Sequence, residues 1–318
     1  MKNTLKLIKA LADETRLRLA AVLAEGPLNV QEITEIMGMV QPRISRHLRL
    51  LHDAGLAQSR REGSWIYYHI DPQALPQSVR DIAVPLLAQL RATAAAAADR
   101  AAIAGCRRRS AAKTRMFFDA VAGQWKTLRQ KHVDEERLGD ILRRAVPRAE
   151  VIADLGCGTG DVLRLLANYG TTLIGVDQAE QMIQIARSLT ATDGYKHIEF
   201  RLGEFDHMPL RDEEADVAVL SLVLHHLANP AALFPEINRL LKPGGQTVIV
   251  DLAKHENESL RNDMGDLWLG IDPEQLRQWL AAGGFTDAHI ALEQGGPAGI
   301  NLIVARARKD PDRAASIN

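Results

Sequence analysis

Apolar residues in the first part of the chain recur every three or four positions in four short blocks: "TLKLIKALA", "DETRLRLAAVLAEG", "NVQEITEIMG" and "QPRISRHLRLLHDAGL". That spacing predicts four helices. Asp13 and Asn29 are placed as N-caps, Pro42 falls in a first turn, and Gly26-Pro27, Gly38 and Gly55 act as stops. The pattern then changes to "AQSRREGSWIYYHI", two short strands about Glu62-Gly63, the second rich in aromatic and β-branched residues. From Pro76 to about Ala104 the chain turns alanine-rich and helical, with an interruption expected at Pro85. "CRRRSAAK" reads as an exposed boundary, and its Arg107-Arg108-Arg109 run as a solvated linker or a phosphate contact. The next stretch, "TRMFFDAVAGQWKTLRQKHVDEERLGDILRRAV", is helical with Phe117, Phe118, Val121, Trp125 and Leu128 along one face. That stripe serves a core, a cofactor pocket, or both.

After Pro147 strands alternate with helices. "VIADLG", "TTLIGVD", "HIEFRLG", "ADVAVLSLVL" and "QTVIVDLA" are short and nearly continuously apolar, the mark of a parallel sheet covered on both faces. "HIALEQGGPAGINLIVARA" adds two strands joined by a Gly-Pro turn, and a frayed tail is expected after Arg308.

Composition refines this picture in two ways. The chain of 318 residues, 46% hydrophobic and 25% charged, is long enough for two domains with separate cores. No apolar run reaches the roughly 18 residues of a membrane span, and the start has no apolar signal core with a cleavage site. Two cysteines, Cys106 and Cys157, suit a reducing compartment and cannot build a disulfide framework or a thiolate-rich metal site. A cytoplasmic location is therefore expected. Charge is unevenly shared: residues 1–110 carry 16 Lys and Arg against 10 Asp and Glu, and the remainder 23 against 30. A basic block joined to an acidic one suggests that only the first meets a polyanion.

The sharpest motif is "DLGCGTG", residues 154–160, straight after the apolar run Val151-Ile152-Ala153. A strand running into Gly156, Gly158 and Gly160 and then a helix is a nucleotide-cofactor loop, since glycine lets the backbone turn tightly and approach a ligand. Asp177 lies about twenty positions on, at the end of the next strand, where an acid can take both ribose hydroxyls. The spacing is G-x-G-x-G, not the dinucleotide G-x-G-x-x-G, and Asp154 immediately precedes it. An acid there repels pyrophosphate but can bind the ammonium of an amino acid.

"VIADLGCGTGDVLRLLA", "LIGVDQAEQMIQIAR", "FRLGEFDHMPL", "ADVAVLSLVLHHL" and "EINRLLKPGGQTVIVDL" resemble, in order, the successive motifs of class I S-adenosylmethionine-dependent methyltransferases, across roughly residues 112–308. The resemblance implies a Rossmann-like α/β domain with a mostly parallel seven-stranded sheet and S-adenosylmethionine as cofactor. Asp154, Gly156, Gly158 and Gly160 would hold its methionine part, and Asp177 its ribose, with Gln178 and Met182 beside the adenosine. The family's adenine-contacting Asp is here Glu204, followed by Phe205. Ser221 would lie near the methionine. His225 and His226 follow the fourth strand, where acceptors approach in this fold; they are candidate bases, or have a packing or cofactor-side role. Asp251 and His255, with Glu256, are expected on the same rim. Arsenite is not expected as acceptor, because Cys157 is the domain's one thiol and sits inside the cofactor loop.

The first part resembles the ArsR/SmtB family of winged-helix repressors, most specifically through "SRHLRLLHDAGL" and "RREGSWIYYHI". The resemblance implies a winged helix-turn-helix that enters the major groove of operator DNA with Gln41, Arg43, Arg46 and His47. Ser45 would donate to a phosphate, and Arg60 and Arg61 at the wing base would contact the backbone. Relatives that sense metals use Cys-x-Cys or Asp/His pairs. "GPLNVQEI" holds neither Cys nor His, and "VRDIAVPLLAQL" one Asp and no His, so no metal is expected. The resulting organisation is 1–75 DNA-binding, 76–111 a helical dimerisation arm and linker, 112–308 methyltransferase, and 309–318 a tail. Homodimerisation and double-stranded operator DNA are implied, with an unidentified methyl acceptor. Three functions stay open: a regulator coupled to cofactor binding and methyl transfer, a methyltransferase whose winged helix only dimerises, and a cofactor sensor without turnover.

Overall fold

The structure, a computed structural model, describes residues 2–62, 65–72, 74–131, 133–294 and 299–311. Its internal contacts divide the chain into Met1–Ser110 and Ala111–Asn318.

In the first unit, helices α1 (Lys2–Leu11) and α2 (Glu14–Leu23) precede a two-residue strand β1 (Leu28–Asn29), then α3 (Val30–Met37) and α4 (Gln41–Asp53). Strands β2 (Gln58–Glu62) and β3 (Trp65–His69) follow, then α5 (Gln77–Arg91) and the start of α6 (Ala94–Val121). The sheet order β1-β3-β2, antiparallel throughout, makes the wing. Local chemistry fixes these ends. Asp13 accepts from Arg16 N at 3.0 Å to cap α2, Asn29 and Glu32 form a reciprocal capping box on α3, and Gly38 ends α3 at φ 65°. Leu19, Leu23, Ile33, Ile44, Leu48 and Leu51 are fully buried between the helices. The winged helix-turn-helix is the fold the sequence indicates. The Gly63 turn lies outside the described residues.

One expectation for the following segment needs correction. Pro85 does not interrupt α5, which runs through it because Val79, Ala83 and Leu87 are buried on its inner face; the break comes at Ala92-Thr93. The boundary expected at "CRRRSAAK" is there, since the two units divide at Ser110-Ala111, but the stretch is unbroken helix within the 28-residue α6. Ile103 and Cys106 of α6 join the first unit's core. Arg18 of α2 holds the nearly buried Asp99 with both donors of its guanidinium edge, at 2.6 and 2.9 Å, and also reaches Ile36 O at 3.1 Å. Arg107 donates to Glu25 O at 2.9 Å, and Arg109 pairs with Glu35.

The second unit takes the end of α6, a 3₁₀ turn at Ala122–Gln124, then α7 (Trp125–Gln130) and α8 (Glu135–Ala145). Its sheet is built from β4 (Ala149–Leu155), α9 (Asp161–Leu165), β5 (Gly170–Asp177), α10 (Glu180–Thr192), β6 (Ile198–Leu202) and β7 (Ala215–Ser221). It continues with α11 (Leu233–Leu240), β8 (Leu241–Leu252), α12 (Ser259–Asp263), α13 (Pro273–Ala282), β9 (Phe285–Glu293) and β10 (Leu302–Lys309). Strand order is β6-β5-β4-β7-β8-β10-β9. The first five strands are parallel, and β10 runs antiparallel to β8 and β9. Alternate residues serve two cores: Ile152, Leu173, Val217 and Val250 belong to one, Ala153, Ile174, Val176 and Ile249 to the other. The chain builds outward from β4 to β6, then returns to β7 on the other side of β4. That reversal opens a crevice at the carboxyl ends of β4, β5 and β7, where ligands bind in such sheets.

The Gly-Pro turn before β10 lies outside the described residues, as does the tail beyond 311; Lys309 still belongs to β10. Among the described residues, no helix is long and apolar enough to cross a membrane.

Candidate functional site

The crevice holds a cavity of about 660 Å³. Gly156, Gly158, Asp177, Gln178, Met182, Phe205 and Ser221 all line it. Gly156, at φ +82°, is required twice over: its backbone is left-handed, and a Cβ would stand 2.6 Å from a Val223 methyl. Gly160 is similar, with a Cβ 2.9 Å from the Phe200 ring. The Asp177 carboxylate clamps the loop, accepting from Gly158 N at 2.8 Å and Ala179 N at 2.9 Å. Burial raises its pKa, against the pull of these N–H donors.

Asp154 does not line the cavity. It lies behind the glycine loop, 1% exposed, and neither carboxylate oxygen accepts a hydrogen bond. Burial, reinforced by Asp177 and Asp161, pushes its pKa to about 8. A buried acid without a donor is costly. It fits a site awaiting a cationic or donor group, as an amino acid's ammonium is. Gly160 also lies off the cavity lining, and Glu204 points away: its side chain is 68% exposed and pairs with Arg115 at 3.0 Å.

The aromatic stripe supplies part of the far wall, and sequence reasoning missed Thr114, Arg129 and Leu222 beside it. Thr114 and Phe118 of α6, Trp125 and Arg129 of α7, and Leu222 line the cavity. Phe118 packs edge-on against Trp125 at 5.1 Å and against His226 at 4.8 Å. The aromatic stripe and His226 were each legible; their edge-on contact was not. Leu222, at φ 60°, is a left-handed non-glycine residue held by its N–H on Val250 O at 2.8 Å.

Past His226 lies a smaller cavity of about 340 Å³, sharing Trp125, Arg129, Leu222 and His226 with the first. His225, His226 and Asp266 meet at its edge, all buried. His225 Nδ1 bonds Asp251, and its Nε2 is 3.6 Å from Asp266 Oδ1. Burial alone would lower the His225 pKa, but Asp251 and Asp266 hold it up at about 9. Burial and the neighbouring His225 drive His226 well below its usual value. Burial raises Asp266 to about 6. Asp266 carried no sequence signal: it stands in "GDLWLG", outside every recognisable motif.

Asp251 is not on the rim where the sequence placed it. It is 0% exposed, and its oxygens accept from Val223 N at 3.1 Å, Leu224 N at 2.8 Å and Leu252 N at 2.7 Å. His255 is also off the shared rim. It lines a separate cavity with Lys254 and Glu256, and burial lowers its pKa to about 4.

On the first unit, α4 buries Ile44, Leu48 and Leu51 and exposes Gln41, Arg43, Arg46 and Arg49. Ser45 and His47 are half-buried, and Leu50 is exposed, unlike its neighbours Leu48 and Leu51. Arg61 is exposed and Arg60 half-buried on β2. Burial lowers the His47 pKa.

The fold and these two surfaces define a DNA-binding winged helix joined to a domain with the S-adenosylmethionine-dependent methyltransferase fold. Comparison with known proteins agrees: residues 13–59 match the arsR family of bacterial regulatory proteins, and residues 153–249 match a methyltransferase domain. The chain therefore combines an ArsR-family regulatory region with a methyltransferase domain. It is 46% identical over 74 residues to the arsenic resistance transcriptional regulator ArsR1 of Pseudomonas putida, covering 23% of this chain and 57% of that protein. It is 34% identical over 113 residues to an arsenite methyltransferase of Halobacterium salinarum, covering 35% of this chain and 29% of that protein. The chain thus spans less than two thirds of either curated relative. Among solved structures, the 4+2 cyclase SpnF aligns with a TM-score of 0.51 at 20% identity, covering 61% of this chain and 94% of that one; the likeness concerns the fold alone.

Two outcomes are expected. Asp177→Ala should weaken S-adenosylmethionine binding at least tenfold in calorimetry, since hydrogen bonds to a charged group contribute about 1.5–3 kcal/mol each; wild-type affinity would remove Asp177 from the site. Asp154 gives a pH dependence. Its carboxyl is raised from 3.8 to about 8 in the folded chain, so it is neutral at pH 7. The empty domain therefore loses stability as pH rises between those values. A ligand ammonium selects the ionised form, so binding should release a proton and tighten between about pH 6 and 8, by up to roughly tenfold per unit. Calorimetry in buffers of different ionisation enthalpy measures that proton, and Asp154→Asn should abolish it.

Proposed function

We propose that this chain is a transcriptional regulator whose operator binding is coupled to S-adenosylmethionine binding in its methyltransferase domain, and that the domain transfers the methyl group to a small acceptor. When bound, the cofactor supplies an electrophilic methyl on a sulfonium. Gly156 and Gly158 would hold the amino-acid end, with Asp154 buried off the cavity lining, Asp177 would hold the ribose, and Gln178, Met182 and Phe205 the base. Phe118 and Trp125 exclude water from the cavity. The observation that carries the coupling is α6: one 28-residue helix places Ile103 and Cys106 in the DNA-binding core and Thr114 and Phe118 in the cavity wall.

The exposed row Arg43, Arg46 and Arg49 favours DNA contact over a purely enzymatic role. The second cavity beyond His226 favours turnover over sensing alone. The arsenic chemistry in the names of the relatives is not carried over, because the two thiols, Cys106 and Cys157, are buried in different units. Leu5, Ile8 and Val84 are exposed apolar residues on α1 and α5, and they support homodimerisation.

Arg46→Ala should weaken binding to the chain's own promoter by about 1–3 kcal/mol while leaving cofactor affinity intact; an unchanged gel shift would take Arg46 out of the interface. The coupling is tested by titrating operator DNA with the cofactor-free chain, then with saturating S-adenosylmethionine, then with S-adenosylhomocysteine. Tenfold coupling requires about 1.4 kcal/mol, and linkage demands that DNA shift cofactor affinity equally. Three superimposable curves would leave two independent domains on one chain.

A further inference from the structure

We propose that His225 Nε2, His226 Nδ1 and one carboxylate oxygen of Asp266 form a binding site for a divalent transition-metal ion, with an open coordination position facing the 340 Å³ cavity. The three donor atoms lie within 4.8 Å of one another, and both imidazole nitrogens stand 3.6 Å from Asp266 Oδ1. Those separations are too long for hydrogen bonds. They are close to the ~3.3 Å edge of a tetrahedron with metal–ligand bonds near 2.0–2.1 Å. His226 Nδ1 also stands 3.4 Å from Gly265 O, a long contact that metal binding would replace by putting the ring proton on Nε2.

A second observation points independently to a ligand. Asp266 is 3% exposed, and neither of its oxygens accepts a hydrogen bond. A buried acid with both oxygens unmet calls for a cation or a donor in direct contact. The surrounding charge agrees: Asp251 and Asp266 place two carboxylates in one buried cluster, which a dication would balance.

His225 is also held as metal-ligating histidines are. Its Nδ1 bonds the Asp251 carboxylate, which fixes the ring and directs Nε2 towards Asp266, the carboxylate–histidine–metal relay. Two imidazoles and one carboxylate suit borderline ions such as zinc, iron(II) or cobalt(II), not calcium or magnesium. Leu252, Leu260 and Met264 make the open side apolar, so the remaining ligand would be a water or a single oxygen or nitrogen donor of the acceptor. That last role rests on the methyl-transfer reading; metal binding does not.

The test uses the full chain, freed of any affinity tag and stripped with a chelator, titrated with Co²⁺ in the absence of cofactor. One ion per chain should bind with visible ligand-field absorption, and Zn²⁺ should displace it. Asp266→Asn, which keeps the shape and removes the charge, should weaken Co²⁺ binding at least tenfold while circular dichroism shows the native fold. His226→Gln provides the same reading through a different ligand should the first variant fail to fold. Zn²⁺ should also raise the melting temperature of the stripped wild type but not of either variant. The absence of stoichiometric binding, or equal affinity in the wild type and a folded variant, would overturn the site. Because no cofactor or acceptor is present, failure here leaves the methyl-transfer reading untouched, and loss of turnover elsewhere leaves the metal site untouched.

Discussion

One buried carboxylate organises the whole site. Asp251, in β8, accepts from the backbone of Val223, Leu224 and Leu252 and from the ring of His225, with no exposure to solvent. It therefore ties the residues after β7 to the strand beside them. A charge so deeply buried persists only if its lone pairs are met, and removing it would leave several orphaned donors. The turn it fixes drives Leu222 into a left-handed conformation and presses Val223 onto Gly156, where no side chain could fit. The glycine loop is thus set from outside as well as by its own sequence.

The same end of the sheet gathers four acids, and the protein satisfies them unequally. Asp177 is met by two backbone N–H groups, and Asp251 by three and an imidazole. Asp154 and Asp266 accept no hydrogen bond, although Asp266 stands 3.6 Å from the His225 and His226 rings. Backbone donors neutralise an acid locally and at no cost in charge, so the first pair is structural in character. Asp154 keeps its desolvation cost until something positive or hydrogen-bearing arrives, and Asp266 recovers only part of its own from the His225 ring. They stand apart: Asp154 lies off the lining of the first cavity, and Asp266 lines the second, beyond His226.

What was legible in the sequence was what local chemistry decides. The parallel strands showed as β-branched runs, the caps at Asp13 and Asn29 as short polar residues before apolar periods, and the cofactor loop as alternating glycines. What was not legible is decided by tertiary contact. Pro85 looks like a helix breaker, yet packing at Val79, Ala83 and Leu87 carries α5 through it. "CRRRSAAK" looks solvated, yet Arg107 and Arg109 find partners on Glu25 and Glu35. Glu204 stands where a family motif sets an adenine contact, but its longer side chain turns out to Arg115. Asp266 matters only because the loop after α12 folds back under His225, whose carbonyl accepts from Leu267 N and Trp268 N, both at 2.9 Å.

A coupling between cofactor and DNA needs an element with two available states, not merely a shared chain. α6 itself is a poor candidate, since a continuous helix transmits displacement without storing a choice. The 3₁₀ turn at Ala122–Gln124 is better placed. Short 3₁₀ segments at helix ends have weaker hydrogen-bond geometry and often mark hinges. This one is flanked by Phe118 and Trp125, which touch each other and both line the cavity. A Cβ added at Gly123 within it would meet no atom within 4 Å. Filling the cavity would press on both rings at once and favour one geometry of the turn between them. The energy needed is small, because tenfold coupling corresponds to about 1.4 kcal/mol, comparable to one well-packed aromatic pair. The switch would then reside in the packing of two aromatic rings across a hinge, with α6 conveying the outcome.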